Sequence, residues 1–489
     1  MPQHHQDIPR SNPSASSLFD QLQQFVTRPV LADAEAFWQI EQAVHQSAAQ
    51  LGDLITLQIL EHTHQDTSFV ETAVKSVREK HSTPLRHKGW KPVSILLRGG
   101  TKVILKTPYL RTNWKKATGR RRKKRGPQGS GCYPVLEALG IFDRVSPATR
   151  SEIALYTVQA ATYQEAVDML ARQGIQCSGA KVGQIALSTA QTDVSLRDAA
   201  LQAALEQPIP HDGPLAGLRV RIGLDGGRVR TRKTKPGRKT KHKRHRFHTP
   251  WKEPRVLVID ILQEDGSYDA LRLPLYDVLI DDGDAVFAMV IGYLRLLGAA
   301  FAETIEFVAD GADWMWERVD QMIEAAELPA THVYLVLDFY HAAEHLAAAV
   351  ALFKDHLCPS KRQKLFTRLR HTLRHSVDGV AKVLTRLKAL GKTYQISALD
   401  KTLGYFEKHV THMAYATLDA MNLPVGSGQV ESAVRRVINL RFKAPGTFWN
   451  ETTAEHLMHL RACFKTGRWE ELIRRFIRGK FLVPSFEAG

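Results

Sequence analysis

Between Leu218 and Asp338 short apolar runs alternate with turns and helical periods, and the order of these segments constrains the fold more than any other feature. Leu218 to Gly227 alternates apolar and polar residues and ends in a glycine turn, which predicts a first strand. Arg255 to Leu262 predicts a second, followed by the turn Glu264-Asp265-Gly266, and Leu271 to Ile280 a third. A helix is expected from Asp284 to Leu297, a fourth strand from Thr304 to Asp310, a helix from Trp314 to Ala326 and a fifth strand from Val333 to Asp338. Strand, strand, strand, helix, strand, helix, strand describes an α/β domain, a pattern that many functions share. The most apolar stretch, Ala285 to Ala302, is interrupted by Arg295 and followed by Glu303, so it reads as a buried helix rather than a membrane span.

Acids close two of these strands. Asp225 ends the first and Asp310 the fourth. The element order is that of an RNase H-like core with a mixed five-stranded sheet, a fold in which those two strands are neighbours and their carboxylates face each other. Such a pair needs a cation to neutralise it. Hard carboxylate oxygens select Mg2+ or Mn2+, and two ions about 3.5–4 Å apart suit in-line attack on a phosphodiester. Taken singly, Asp225 before glycine is also an ordinary turn residue and Asp310 an ordinary helix cap. A third acid comes from Gly426-Ser-Gly-Gln-Val-Glu-Ser-Ala-Val-Arg-Arg-Val437. Gly-Ser-Gly makes a tight entry, Val430, Ala433, Val434 and Val437 line an inward stripe, and Glu431 sits beside it in the first turns. An ion pair from Glu431 to Arg435, four residues on, is the alternative.

The charge balance points to a polyanionic partner. Among 489 residues, Lys and Arg number 67 against 50 Asp and Glu, a net charge of +17 with a pI near 9.7, and nucleic acid is the commonest partner of such a surface. The run Arg120, Arg121, Arg122, Lys123, Lys124, Arg125 is too dense to pack, and is expected as a mobile arm on phosphates or a solvated linker. A second run begins three residues after Asp225 and includes Arg228, Arg230, Arg232, Lys233, Lys241, Lys243 and Arg244; it reads as a flexible cationic arm tracking the DNA backbone. Four widely spaced cysteines argue against a zinc finger or a disulfide framework and fit a reducing cytoplasm. The polar start, Met1 to Leu18, has no apolar signal core.

This length implies two to four domains. Residues 1–33 read as a loose tail. Residues 34–130 read as a helical hairpin, a β-hairpin around Gly99-Gly100 and the basic arm. Residues 131–215 hold three expected helices, Ser151–Ala160, Tyr163–Gln173 and Ser178–Ala186, with a turn at Gly174. That is the outline of a helix-turn-helix DNA-binding region, with Lys181 as a DNA contact, or of plain helical packing. Residues 216–341 form the first part of the α/β core, and residues 342–424 an all-helical insertion whose Lys361, Arg362, Lys364, Arg368, Arg370 and Arg374 face DNA or solvent. Residues 425–489 carry the Glu431 helix, with Arg435, Arg441 and Lys443 as expected DNA contacts. Trp314, Trp316 and Trp449 flank the acids and serve either to stack on a base or to fill the core.

Several segments together resemble the bacterial DDE transposases of the insertion-sequence type called ISKra, close to the ISLre group and more distantly the Mutator-like transposases. They are Leu224-Asp-Gly-Gly227, Val308-Ala-Asp-Gly-Ala-Asp-Trp-Met-Trp316, Val336-Leu-Asp-Phe-Tyr-His-Ala-Ala-Glu-His-Leu346, Gly426-Ser-Gly-Gln-Val-Glu-Ser-Ala433 and Arg441-Phe-Lys-Ala-Pro-Gly-Thr-Phe-Trp449, within about residues 85 to 465. The resemblance implies an endonuclease and strand-transferase acting on double-stranded DNA, at terminal inverted repeats and at a target, in the bacterial cytoplasm and nucleoid. It implies two Mg2+ or Mn2+ ions, with Asp225 bridging both, Asp310 on one and Glu431 on the other. Asp338 and His341 match a D-x-x-H signature with a supporting role, although Asp338 also competes for the place of second acid. A homo-oligomer on paired DNA ends is the class expectation. The alternatives are a DNA-binding descendant that no longer cuts and a nuclease of the same fold that does not join strands.

Overall fold

The computed structural model describes residues 15–27, 31–82, 84–112, 131–241 and 243–487. The chain divides into two compact units, residues 1–189 with 476–479, and residues 190–475 with 480–489. The dividing point falls inside the long helix Gly179–Glu206 rather than at the expected 215/216. The basic run Arg120 to Arg125 lies outside the described residues.

In the first unit, Ala15–Val26 is helical where a loose tail is expected, because Leu18, Leu22 and Phe25 fall on one helical face. Ala34–Gln65 and Thr67–Lys80 form two helices that share Asp66, whose side chain caps the second by accepting from Phe69 N–H. Leu85–Leu96 pairs antiparallel with Lys102–Thr112. The turn between them is held by buried Asp53, whose carboxylate accepts from Gly99 N–H and Thr101 N–H, both at 2.9 Å. Pro147–Gln159, Tyr163–Arg172 and the first part of Gly179–Glu206 pack around Ile153, Ala166, Leu170, Val182 and Ile185. Gly183 on the third helix is in close contact with Tyr163, since a Cβ there would meet its ring at 3.0 Å. Lys181, expected to reach DNA, instead donates its ammonium to the Asp143 carbonyl at 2.8 Å, and burial lowers its pKa.

The second unit is built on a five-stranded mixed sheet. Its strands are β1 (Arg219–Gly226), β2 (Arg255–Leu262), β3 (Leu275–Leu279), β4 (Thr304–Ala309) and β5 (Val333–Leu337), in the order β3-β2-β1-β4-β5. β1, β2 and β3 are antiparallel, whereas β4 runs parallel to both β1 and β5. β3 starts later than expected because Asp269 draws the chain into a turn, accepting from Leu271 N–H at 3.0 Å and Arg272 Nε at 3.2 Å. Strand alternation turns Val220, Ile222, Leu224, Ile305, Phe307 and Ala309 into a core with α1 (Gly283–Leu296) and α2 (Asp313–Ala325). The intervening residues, Arg221, Gly223 and Asp225 on β1 and Glu306 and Val308 on β4, face the other way.

A helical insert follows β5: α3 (Phe339–Ala351), α4 (Pro359–His375), α5 (Gly379–Tyr394), α6 (Ala398–Lys408) and α7 (Tyr415–Ala420). Leu346, Phe353, Leu373, Leu387 and Phe406 form a second core together with Val308, Val336 and Leu337 on the other face of the sheet. The chain returns through α8 (Gly428–Val434), which runs on through a π-helical turn, Arg435–Asn439, and then enters α9 (Glu451–Lys465), packed on β3. Among the described residues no helix is long and apolar enough to cross a membrane.

The basic run after β1 is a ribbon with paired segments rather than a flexible arm. Val229–Arg230 pairs with Trp251–Lys252, and Lys233–Thr234 with Phe247–His248. Interleaved β-formers, hidden in sequence by the charge density, explain this. Arg230 sits 4.8 Å from the centre of the Trp251 ring and Arg232 5.5 Å from that of Phe247.

Candidate active site

Three aspartates lie at one end of the sheet. In the β1–β4 ladder Val308 is opposite Gly223, so two residues further on Asp310 is opposite Asp225 and points to the same face. In the β4–β5 ladder Ala309 is opposite Leu337, which puts Asp338 next to Asp310. Three aspartates therefore stand in a row at the C-terminal ends of three adjacent parallel strands.

The row is not uniform. Asp225 is partly buried, and its carboxylate accepts from Gly226 N–H at 2.6 Å. Burial pushes this carboxyl up to about 6; the Gly226 bond opposes the rise, the negative charges of Asp310 and Glu431 add to it, and His341 pulls against it. Asp310, Glu431 and His341 thus lie within electrostatic reach of Asp225, but the three acids do not bring ligand atoms within 4.8 Å of one another. Asp310 caps the loop before α2, accepting from Ala312 N–H at 2.9 Å, while its carbonyl accepts from Trp316 Nε1 at 2.7 Å.

Glycine brings the third acid close. A Cβ at Gly223 would meet Val430 at 3.0 Å, and one at Gly227 would meet Ile438 at 2.8 Å. With hydrogen there instead, α8 lies directly on β1, and Glu431, one residue after Val430, is carried to the acid row. Glu431 is exposed and accepts from Ser427 Oγ at 3.0 Å, in place of an ion pair with Arg435.

Asp338 is engaged within the protein. It is fully buried, and one oxygen accepts from Tyr340 N–H at 2.5 Å and His341 N–H at 2.9 Å. The other oxygen accepts from Ser427 N–H. Both oxygens are thus used to start α3 and to hold the turn before α8. Since Ser427 in turn bonds Glu431, Asp338 positions the third acid. The Gly-Ser-Gly motif signals a tight turn, but nothing in the sequence tells which carboxylate would clamp it. His341 is half-exposed at the start of α3, 3.9 Å from Glu344.

The remaining expected residues divide by exposure. Arg228, Arg230, Arg232, Lys233, Lys241, Lys243, Arg244, Arg435 and Lys443 are solvent-exposed. Arg441 is buried, its guanidinium 5.2 Å from the centre of the Trp449 ring, so the expected DNA contact is a packing residue. The tryptophans are also used internally: Trp316 stacks on His412 at 4.1 Å, and Arg255 covers Trp314 at 4.0 Å.

Sequence reading missed a second charged cluster. Asp193, His459 and Cys463 present ligand atoms within 4.8 Å of one another. Their partners identify an ion-pair network instead. His459 Nε2 faces Asp193 at 2.8 Å and Nδ1 faces Asp277 at 2.9 Å. Arg475 donates to both Asp193 oxygens at 2.7 Å; Asp277 accepts from Arg197 at 2.9 and 3.0 Å and from Tyr293 Oη at 2.7 Å. These residues are far apart in sequence and no local motif announces them. Comparison with protein-family models, curated proteins and solved structures found no match to this chain.

Proposed function

We propose that this chain is a DNA transposase of the DDE type, akin to the ISKra insertion-sequence group, that cuts DNA at element ends and joins the freed ends to a target. The observation that carries the reading is that Asp225 and Asp310 lie side by side at one end of the sheet and Glu431 is within electrostatic reach of them, with the Asp225 carboxyl raised to about 6. The strand order β3-β2-β1-β4-β5 with a helical insert before the last acid supports an RNase H-like core.

The donor set suits divalent cations. Asp225, Asp310 and Glu431 offer only hard oxygens, and the charges acting on Asp225 are two carboxylates and one histidine, a local excess of negative charge that a cation relieves. Two Mg2+ or Mn2+ ions held there would supply charge neutralisation at the attacking and leaving oxygens of the phosphodiester. The chain's own contribution is positioning. The sheet ends fix Asp225 and Asp310, Asp338 and Ser427 fix Glu431, and the exposed ribbon after β1 supplies cations for the DNA backbone. Water attack at the element boundary frees a 3′ hydroxyl. That hydroxyl then attacks a target phosphodiester and displaces its 3′ oxygen, so the number of phosphodiester bonds is conserved in the joining step.

The test is incubation of the purified protein with Mg2+ and labelled duplex carrying the flanking ends of its own gene. Nicking at the boundary, absent in Asp225→Asn and Glu431→Gln, is expected. Binding without nicking in Mg2+ and in Mn2+ would favour a DNA-binding descendant, and nicking without joining would favour a nuclease.

A further inference from the structure

A cavity of about 850 Å3 opens between the starts of α3 and α8, the helices that begin at Asp338 and carry Glu431, and one face of α4. Its volume lies within the range of about 300–1,000 Å3 found for small-ligand sites. One wall is the ring of Tyr340, which is 60% exposed and lies against Gly426, where a Cβ would meet the ring at 2.7 Å. Across from it α4 presents Arg370 and His371, both exposed. The Arg370 guanidinium rests 5.1 Å from the centre of the Phe339 ring, and among the described residues it has no carboxylate partner. Arg374, one turn on, is occupied by Asp419. Gln429 and Ser432, on either side of Glu431 in sequence, add an amide and a hydroxyl to the lining.

An open aromatic face, an unpaired guanidinium and hydrogen-bonding side chains match the base face, phosphate and base edge of a nucleotide. A base inside a duplex has both faces stacked and cannot lie on Tyr340 unless it leaves the helix. We propose that this cavity receives one unpaired nucleotide of the DNA strand adjoining the scissile phosphodiester, with its base on Tyr340 and its phosphate at Arg370 and His371. This inference rests on the proposed reaction for placing DNA at the acids; the chemistry of the cavity walls is independent of it.

The experiment compares the full-length protein on two fluorescent 30-base-pair duplexes at fixed salt without divalent cation. One duplex is perfectly paired and the other carries a single unpaired 2-aminopurine. Wild type should prefer the second by about tenfold or more, the scale of one stacked base, and should quench the 2-aminopurine. Tyr340→Phe should keep both effects. Tyr340→Ala should bring the preference to within about twofold and restore the fluorescence. Equal affinity of wild type for the two duplexes, or a preference unchanged in Tyr340→Ala, overturns the proposal and leaves the cations to a paired backbone. Nicking of duplex carrying the flanking ends of its own gene is measured in parallel, in Mg2+ and in Mn2+. Preference without nicking supports the cavity and refutes the reaction; nicking without preference refutes the cavity alone.

Discussion

His459 is the most informative residue to change, because its two ring nitrogens face two buried carboxylates at 2.8 and 2.9 Å. Both nitrogens must donate, so the ring is an imidazolium. Burial alone would lower its pKa; Asp277 and Asp193 outweigh that and raise it. In His459→Gln the amide can donate to only one carboxylate and turns its oxygen toward the other. One hydrogen bond to a carboxylate, about 1.5–3 kcal/mol, disappears and the other loses its cationic donor; breaking a buried ion pair costs about 3–5 kcal/mol by comparison. A destabilisation of about 3–5 kcal/mol is therefore expected, or roughly 5–8 °C in the melting of the second unit. The pH dependence gives an independent check. Because the folded-state pKa is above the unfolded value, the stabilisation is complete below about pH 6.5 and is lost as pH rises through the folded value. Urea unfolding from pH 6 to 9 should show wild type losing stability with a slope of at most about 1.4 kcal/mol per pH unit, and His459→Gln should lack that component. A variant within about 1 kcal/mol of wild type, or one with the same pH slope, would show that the network does not hold the unit together.

Asp338→Asn keeps the cap on α3 but turns an amide toward Ser427 N–H; a cost of about 1–3 kcal/mol by denaturant titration is expected, with nicking rate falling more than DNA affinity. Gly223→Ala should lift α8 by a few tenths of an ångström, cost about 1–2 kcal/mol and slow nicking, and Val430→Ala in the same chain should recover both; failure of that rescue, measured as a double-mutant cycle, would sink the close approach as the cause. Replacing Arg228, Arg230, Arg232 and Lys233 by Gln should weaken binding to unrelated duplexes alike and flatten the dependence of log affinity on log salt by about 0.9 for each phosphate no longer neutralised; an unchanged slope would remove the ribbon from the DNA interface.

Much of the second unit is legible in sequence because its signals are local. Strand alternation, turn glycines and acids at strand ends locate Asp225 and Asp310, and Gly-Ser-Gly locates the helix bearing Glu431. What is not legible depends on partners distant in the chain. Asp338 looks like a spare acid until Ser427 is seen to consume its second oxygen. Lys181 and Arg441 read as surface charges, yet Asp143 and Trp449 take them inward. The cationic segment after β1 looks unstructured because Arg and Lys mask the spacing of Val229, Phe247 and Trp251 that makes it pair.

The Ser427 to Asp338 bond, together with Phe339 N–H on the Val425 carbonyl at 2.9 Å, also closes the helical insert at its neck. Arg221 secures the same neck from β1, donating to the Pro424 carbonyl at 3.0 Å and the Gly426 carbonyl at 2.6 Å. Eighty-odd residues therefore leave the sheet and rejoin it within hydrogen-bonding distance, as a side loop on a buttoned collar. For such a loop the entropic cost of closure grows only logarithmically with length. Helices can be added to or trimmed from the insert while its neck, and with it the turn that holds Glu431, stays in place.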